Sequence, residues 1–174
     1  MKMDIVANSG NDEFYTPEYA ITPLVKYLDK TKRVWCPFDT ERSNFVKVLR
    51  FDNNMQVNVT HKDVEDSDFF HTEDITCDYI ISNPPYSLKF EVFERLFKIG
   101  KPFAMLVGVV GLFESKKRFN LFKDNNFEVM YFDKRIAYFK SYDEQKPSLN
   151  PPFSSVYITK GILPNRIVFE TIEK

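Results

Sequence analysis

The sequence predicts an α/β fold, a sheet with helices packed on both faces, and three observations point to it. Short apolar strands alternate with amphipathic helical segments along almost the whole chain. Phe103 to Val110 is the most continuous apolar run, as expected of a central parallel strand covered on both sides. Asp78-Tyr79-Ile80-Ile81-Ser82 reads as a strand and runs straight into Asn83-Pro84-Pro85-Tyr86. That is where open α/β sheets bind ligands, beyond the carboxyl ends of their strands.

The elements follow in order. The 174 residues suit one domain, residues 1–174, with residues 1–13 expected as a mobile polar lead-in. Ile21, Leu24, Val25 and Leu28 recur at helical spacing. Thr16-Pro17 and Thr22-Pro23 read as caps followed by proline in the first turn. Proline inside a helix costs about 3 kcal/mol, so a short turn and then a helix from near Pro23 is expected. Val34 to Phe38 is a buried strand, residues 41–52 a helix carrying Phe45, Val48 and Leu49, and Val57 to Val59 a second strand.

Residues 63–74 are acidic and turn-rich. After the third strand, Ser87 is placed to cap a helix whose Phe90, Phe93, Leu96 and Phe97 share one face. Gly100 ends that helix and Pro102 prevents its continuation. The central strand is followed by a basic helix, Ser115 to Lys123, and a strand, Glu128 to Phe132. A polar loop from Lys140 to Pro152 precedes the last expected strand, Ser154 to Lys160.

Composition narrows the function. The 24 Lys and Arg nearly balance the 25 Asp and Glu, which argues against a tight non-specific binder of duplex DNA. Any contact with nucleic acid must come from a local patch, and Ser115-Lys116-Lys117-Arg118 with Lys123, Lys134 and Arg135 is the best one. Two cysteines, Cys36 and Cys77, and two histidines, His61 and His71, show no metal-ligand spacing, so no metal is expected. No apolar run approaches about 18 residues and no signal peptide opens the chain. These features predict a cytoplasmic protein without a membrane partner.

Asn-Pro-Pro-Tyr carries the chemistry. An [Asn/Asp]-Pro-Pro-aromatic string would arise by chance in a chain of this length well under about 1% of the time. An exocyclic amino nitrogen on a base is a poor nucleophile, because its lone pair is delocalised into the ring. Two acceptors set against its two hydrogens favour a pyramidal nitrogen and stabilise the charge that develops on attack. The Asn83 side-chain oxygen and the Pro84 carbonyl are suited to this, with Pro84 and Pro85 fixing the backbone and Tyr86 able to stack on an extruded base. The alternative is a rigid turn between a strand and a helix.

The segment Asp78 to Tyr86 resembles the catalytic motif of S-adenosylmethionine-dependent amino-methyltransferases, chiefly the adenine-N6 DNA enzymes. Phe14-Tyr15-Thr16-Pro17 resembles the element that contacts the methionine part of the cofactor in those enzymes. With Trp35-Cys36-Pro37-Phe38-Asp39-Thr40 included, the chain is similar to small phage-borne adenine methyltransferase-like proteins. The resemblance implies a Rossmann-like methyltransferase sheet, mostly parallel with an antiparallel last strand. It implies Asn83, Pro84, Pro85 and Tyr86 as catalytic and S-adenosylmethionine as cofactor. Phe14, Tyr15, Thr16, Pro17, Pro37, Phe38, Asp39, Asp63 and Asp68 are the implied cofactor contacts. Tyr86 and Phe153 would hold a flipped base, although Phe153 also suits a core position.

The first loop departs from the family pattern. Where Asp-Pro-Phe and glycines are usual, the chain reads Cys36-Pro37-Phe38-Asp39-Thr40-Glu41-Arg42-Ser43-Asn44, without glycine. Asp39 or Glu41 would take the cofactor ammonium and Asn44 would hydrogen-bond; capping the next helix is the alternative. A second Asn150-Pro151-Pro152-Phe153 is not a duplicate site, because no strand runs into it. No target-recognition domain is evident, so specificity would be low or would come from a homodimer or a protein partner.

Three functions compete. The first is methyl transfer to the adenine amino group in DNA. The second is a catalytically inactive relative that binds a nucleic acid or protein partner. The third is transfer to a protein glutamine amide, which the Phe14 to Pro17 element disfavours.

Overall fold

Seven strands make one sheet: β1 (Arg33–Cys36), β2 (Gln56–Val59), β3 (Tyr79–Ser82), β4 (Phe103–Gly108), β5 (Glu128–Phe132), β6 (Ser155–Lys160) and β7 (Ile167–Glu170). The computed structural model describes residues 15–60, 68–73, 75–147 and 153–174. Strand order is β2-β1-β3-β4-β6-β5-β7. β2, β1, β3 and β4 pair in parallel, β6 is antiparallel to both β4 and β5, and β7 is parallel to β5. The expected architecture, a mostly parallel α/β sheet with antiparallel pairing, is the one observed.

Side-chain alternation along the strands separates two cores. Ile81, Ala104, Leu106, Met130 and Tyr157 point to one face. There they meet α1 (Thr22–Val25) and α2 (Asn44–Val46), which runs on as a π-helical stretch, Lys47–Asp52. Ile80, Phe103, Met105, Val107, Val156 and Ile158 point to the other. That side is covered by α3 (Asp68–His71), α4 (Lys89–Ile99) and α5 (Lys116–Lys123). Every residue of β4 is buried, as its unbroken apolar sequence requires. Gly100 closes α4 in the left-handed region, at φ 76°, with its N–H on Leu96 O.

Several elements differ from the sequence reading. The strand expected last, β6, is antiparallel as expected, but a further strand, β7, follows it at the sheet edge. β7 is four residues long with Ile167 and Phe169 exposed, so no inward-facing apolar pattern announces it. Ser87 does not cap α4: a 3-10 turn, Tyr86–Leu88, intervenes and Leu88 takes the cap position without a side-chain bond. Neither Thr16 nor Thr22 is a cap. Pro17 precedes the 3-10 turn Glu18–Ala20, and the Thr22 hydroxyl donates to Glu18 O at 3.1 Å.

α2 begins later than residue 41, at Asn44, because Ser43 is its cap and accepts from Phe45 N at 3.1 Å. Within the acidic stretch, Asp68–His71 forms a helical turn anchored by fully buried Phe69. Among the described residues no helix is long and apolar enough to cross a membrane, and none group as a metal site.

Candidate active site

The carboxyl end of β1 turns through Pro37, Phe38 and Asp39 beside the carboxyl end of β3. Asp39 is buried, and both its carboxylate oxygens are engaged. Ser43 Oγ donates to Oδ1 at 2.6 Å and Ser82 Oγ donates to Oδ2 at 2.5 Å. Phe38 N donates in turn to Ser82 Oγ at 3.3 Å. This network makes the turn without glycine. Among the described residues only Asn54, Gln145, Gly100, Gly111 and Gly161 have positive φ, and none lies in the loop. The turn is built from side-chain hydrogen bonds and extended or right-handed backbone, so the missing glycines leave no strain behind.

Thr16 joins three segments. Its carbonyl accepts from Asn44 Nδ2 at 3.0 Å and its hydroxyl accepts from Asn83 Nδ2 at 3.3 Å. The Phe14 to Pro17 element, the first loop and the Asn-Pro-Pro-Tyr motif therefore meet at one buried threonine. With Nδ2 donating to Thr16, the Asn83 amide keeps Oδ1 as its acceptor end.

Residues 139–147 fold back over the first loop. Tyr15 and Phe139 form an antiparallel bridge, and Phe139 bridges to Pro147. Tyr142 lies against Tyr15, with ring centroids 4.1 Å apart. Burial holds the Tyr142 hydroxyl well above its usual range and the nearby Asp39 carboxylate pushes the same way, while hydrogen bonds with Ser43 and Thr40 oppose the shift. An ion pair between Arg42 and Asp143 ties the same two loops together at the surface.

The motif itself lines a narrow cleft with Lys89, Gly108, Tyr138 and Phe153. Pro84 and Pro85 are buried, while Asn83 and Tyr86 are half-buried. The rings of Tyr86 and Phe153 lie near each other, with centroids 6.1 Å apart and planes tilted 32° from parallel. A base held between two rings needs about 7 Å, twice a stacking distance of about 3.5 Å. The slot is thus about 1 Å short of the width a planar base requires.

Lys89 is the residue sequence reasoning missed. It is 7% exposed, and its Nζ donates to Gly108 O at 3.2 Å and Val110 O at 3.0 Å. The same nitrogen lies 5.1 Å from the Tyr86 ring centroid, within cation–π range. Burial lowers its ammonium to about 8; nearby Arg118 pushes it the same way and Glu114 opposes. One signal was available in the sequence. A cation in the first turn of a helix faces the positive end of the dipole, and such a local conflict marks a constrained position.

The structure brings together Thr16, Asp39, Asn83, Pro84, Pro85, Tyr86 and Phe153, with Tyr15, Pro17, Pro37 and Phe38 alongside. Phe153 is buried, and it closes the cleft wall opposite Tyr86. Phe38 packs on Phe69, with centroids 5.0 Å apart, which brings α3 to the first loop. Glu41 faces away from Asp39 in an ion pair with Arg50. Phe14, Asp63, the Asn150 to Pro152 stretch and the Asp68 side chain lie outside the described residues.

No family model matches the chain, and no curated protein matches it. Among solved structures it is similar to a modification subunit of a putative type I restriction enzyme from Vibrio vulnificus YJ016. Identity is 11% and the TM-score 0.48, over 88% of this chain and 45% of that one. The chain therefore spans less than half the length of that subunit.

Proposed function

We propose that the chain is an S-adenosylmethionine-dependent methyltransferase acting on the exocyclic amino group of adenine in DNA. The observation that carries this reading is the cleft itself. Asn83, Pro84, Tyr86 and Phe153 line one opening at the carboxyl end of β3, with two aromatic rings 6.1 Å apart. In this reading Asn83 Oδ1 and the Pro84 carbonyl accept the two amino hydrogens. Tyr86 and Phe153 hold the base once their rings part by about 1 Å, and Lys89 holds the Gly108–Val110 backbone against the motif.

The residues around Asp39 suit a cationic methyl donor. Asp39 is the one buried carboxylate among the described residues, and a buried anion favours a ligand bearing sulfonium and ammonium groups. Thr16, Pro17, Pro37, Phe38 and Asp39 would hold it, with Tyr15 at the rim. When bound, S-adenosylmethionine supplies a methyl group whose bond to sulfur breaks as the amino nitrogen's lone pair attacks. The amino proton leaves to water, and the chain's part is to orient the nitrogen and exclude other nucleophiles.

A second reading draws on the same loop. Asp39 is already engaged by Ser43 and Ser82, and Tyr142 covers it, which suits an inactive relative that binds a partner. Two measurements separate the readings: calorimetric titration with S-adenosylmethionine, and transfer of labelled methyl to adenine-containing DNA by wild type and Asn83→Ala. Micromolar cofactor binding with transfer lost in Asn83→Ala supports the enzyme. No heat at millimolar cofactor and no label, with the protein folded, overturns it in favour of the partner-binding reading.

A further inference from the structure

Helix α5 presents an aromatic ring between cations on its solvent side. Lys116, Phe119 and Lys123 recur at i, i+3 and i+7 and so share a face, and all three are exposed. Phe119 is 55% exposed, and Phe113, just before the helix, is 45% exposed. Lys117 Nζ lies 4.7 Å from the centroid of the Phe90 ring on α4. From Phe113 to Lys123 the sequence holds four cations, Lys116, Lys117, Arg118 and Lys123, against one anion, Glu114. Lys123 is 3.6 Å from Asp124, an exposed pair that a phosphate can displace. The chain as a whole carries a net charge of −1, so the positive charge here is local.

Helix α5 is tied from its inner side to the backbone that lines the cleft. Arg118 Nη1 donates to Gly111 O at 2.5 Å, next along the backbone from the carbonyls of Gly108 and Val110 that hold Lys89. Phe90, whose ring Lys117 approaches, follows Lys89 directly on α4. A plain solvated helix face would carry the lysines without the exposed phenylalanines. A duplex offers phosphates but hides the faces of its bases; an unpaired strand offers both, phosphates to cations and base faces to rings.

We propose that Phe113, Lys116, Lys117, Phe119 and Lys123 form a docking strip for single-stranded nucleic acid, which leads an unpaired base into the slot. The proposal rests on the base-binding reading of the cleft and extends it to the class of strand presented. An unpaired base needs no extrusion from a duplex, which removes an unstacking cost of a few kcal/mol. It also removes the need for a separate module to open or read a duplex.

The test is fluorescence anisotropy of the full chain, without cofactor, on labelled single-stranded DNA, single-stranded RNA and duplex DNA. At least one single strand is expected to bind about tenfold tighter than the duplex. The better of the two sugars identifies the source of the strand. Phe119→Ala should weaken that binding about tenfold and leave duplex binding within about twofold. Lys116→Glu with Lys117→Glu should flatten the salt dependence of the affinity. Equal or tighter duplex binding, or an unchanged single-strand affinity in folded Phe119→Ala, overturns the strip.

Transfer of labelled methyl to the same strands and to duplex, assayed in parallel on the wild type, separates the strip from the chemistry. Methyl transfer to duplex without single-strand binding overturns the strip and keeps the methyltransferase. Single-strand binding that follows Phe119, without methyl transfer, keeps the strip and overturns the methyltransferase.

Discussion

Gly108 and Phe153 are fitted to each other: a Cβ built on Gly108 would lie 2.8 Å from Phe153 Cδ2, closer than side chains approach. Gly108 ends β4 and Phe153 lies two residues before the start of β6, so their contact sets one wall of the slot. Gly108→Ala must push the ring toward Tyr86. The expected destabilisation is about 1–3 kcal/mol, with a larger loss of base binding than of cofactor binding. In a Phe153→Ala background the same change should cost little. Additive effects in the denaturation double-mutant cycle would show that the two residues do not meet.

Lys89 gives the fold a pH signature. Burial lowers its ammonium to about 8, whereas an unfolded lysine titrates near 10.4. Between those values the unfolded chain binds the extra proton, so this group makes stability rise with pH from about 8 to about 10.4. Below about 8 both states are charged and the full cost of burying the charge is present, on the order of 3 kcal/mol. Arg118, Glu114 and the Tyr86 ring are the groups that face it.

Lys89→Met should lose about 1–3 kcal/mol at pH 7, because the carbonyls of Gly108 and Val110 lose their donor. That deficit should widen as pH rises toward 10. Urea melts of both proteins across the range measure it, and the difference cancels Cys36 and Cys77, which titrate in both. A constant deficit would mean that Lys89 stays charged throughout.

Tyr86 acts through its ring in the proposed chemistry. Tyr86→Phe should retain most methyl transfer, and Tyr86→Ala should lose at least about tenfold, chiefly in KM for the nucleic acid. Steady-state kinetics with varied DNA would show it. A large loss in Tyr86→Phe would instead assign the work to the hydroxyl.

Asp39 and Ser82 separate folding from cofactor binding. Ser82→Ala removes a buried hydrogen bond to a carboxylate and should cost about 1.5–3 kcal/mol. Asp39→Asn keeps the shape and lets the two serine hydroxyls reorient, so stability should change less. Its affinity for a cationic cofactor should fall about tenfold or more, as expected for losing a buried anion beside a charge. Equal calorimetric affinity in Asp39→Asn would remove Asp39 from the cofactor site.

What the sequence made legible was local. Ser82-Asn83-Pro84-Pro85 could be placed because two prolines fix the backbone and an apolar strand leads into them. β4 was readable because burial on both faces removes polar residues altogether. The first loop was not legible, because its turn depends on Asp39 accepting from Ser82, forty-three positions away. Lys89 was hidden for the opposite reason: lysines on helices are mostly solvated, and its two carbonyl partners belong to the far end of β4. β7 escaped because an exposed edge strand needs no alternation of polar and apolar residues.

The place of β6 in the sheet bears on how the protein is made. During synthesis β4 leaves the ribosome with β3 available on one side and its other edge open, since the strand that covers it is Ser155–Lys160. At about 5–20 residues per second that edge waits several seconds, with β5 already made and likewise unpaired. An open apolar edge of this kind invites chaperones or pairing with a neighbouring nascent chain. Phe153 arrives with β6, so the Tyr86–Phe153 cleft takes shape late, with only β7 still to be added. Fragments that stop before residue 153 should therefore aggregate rather than fold.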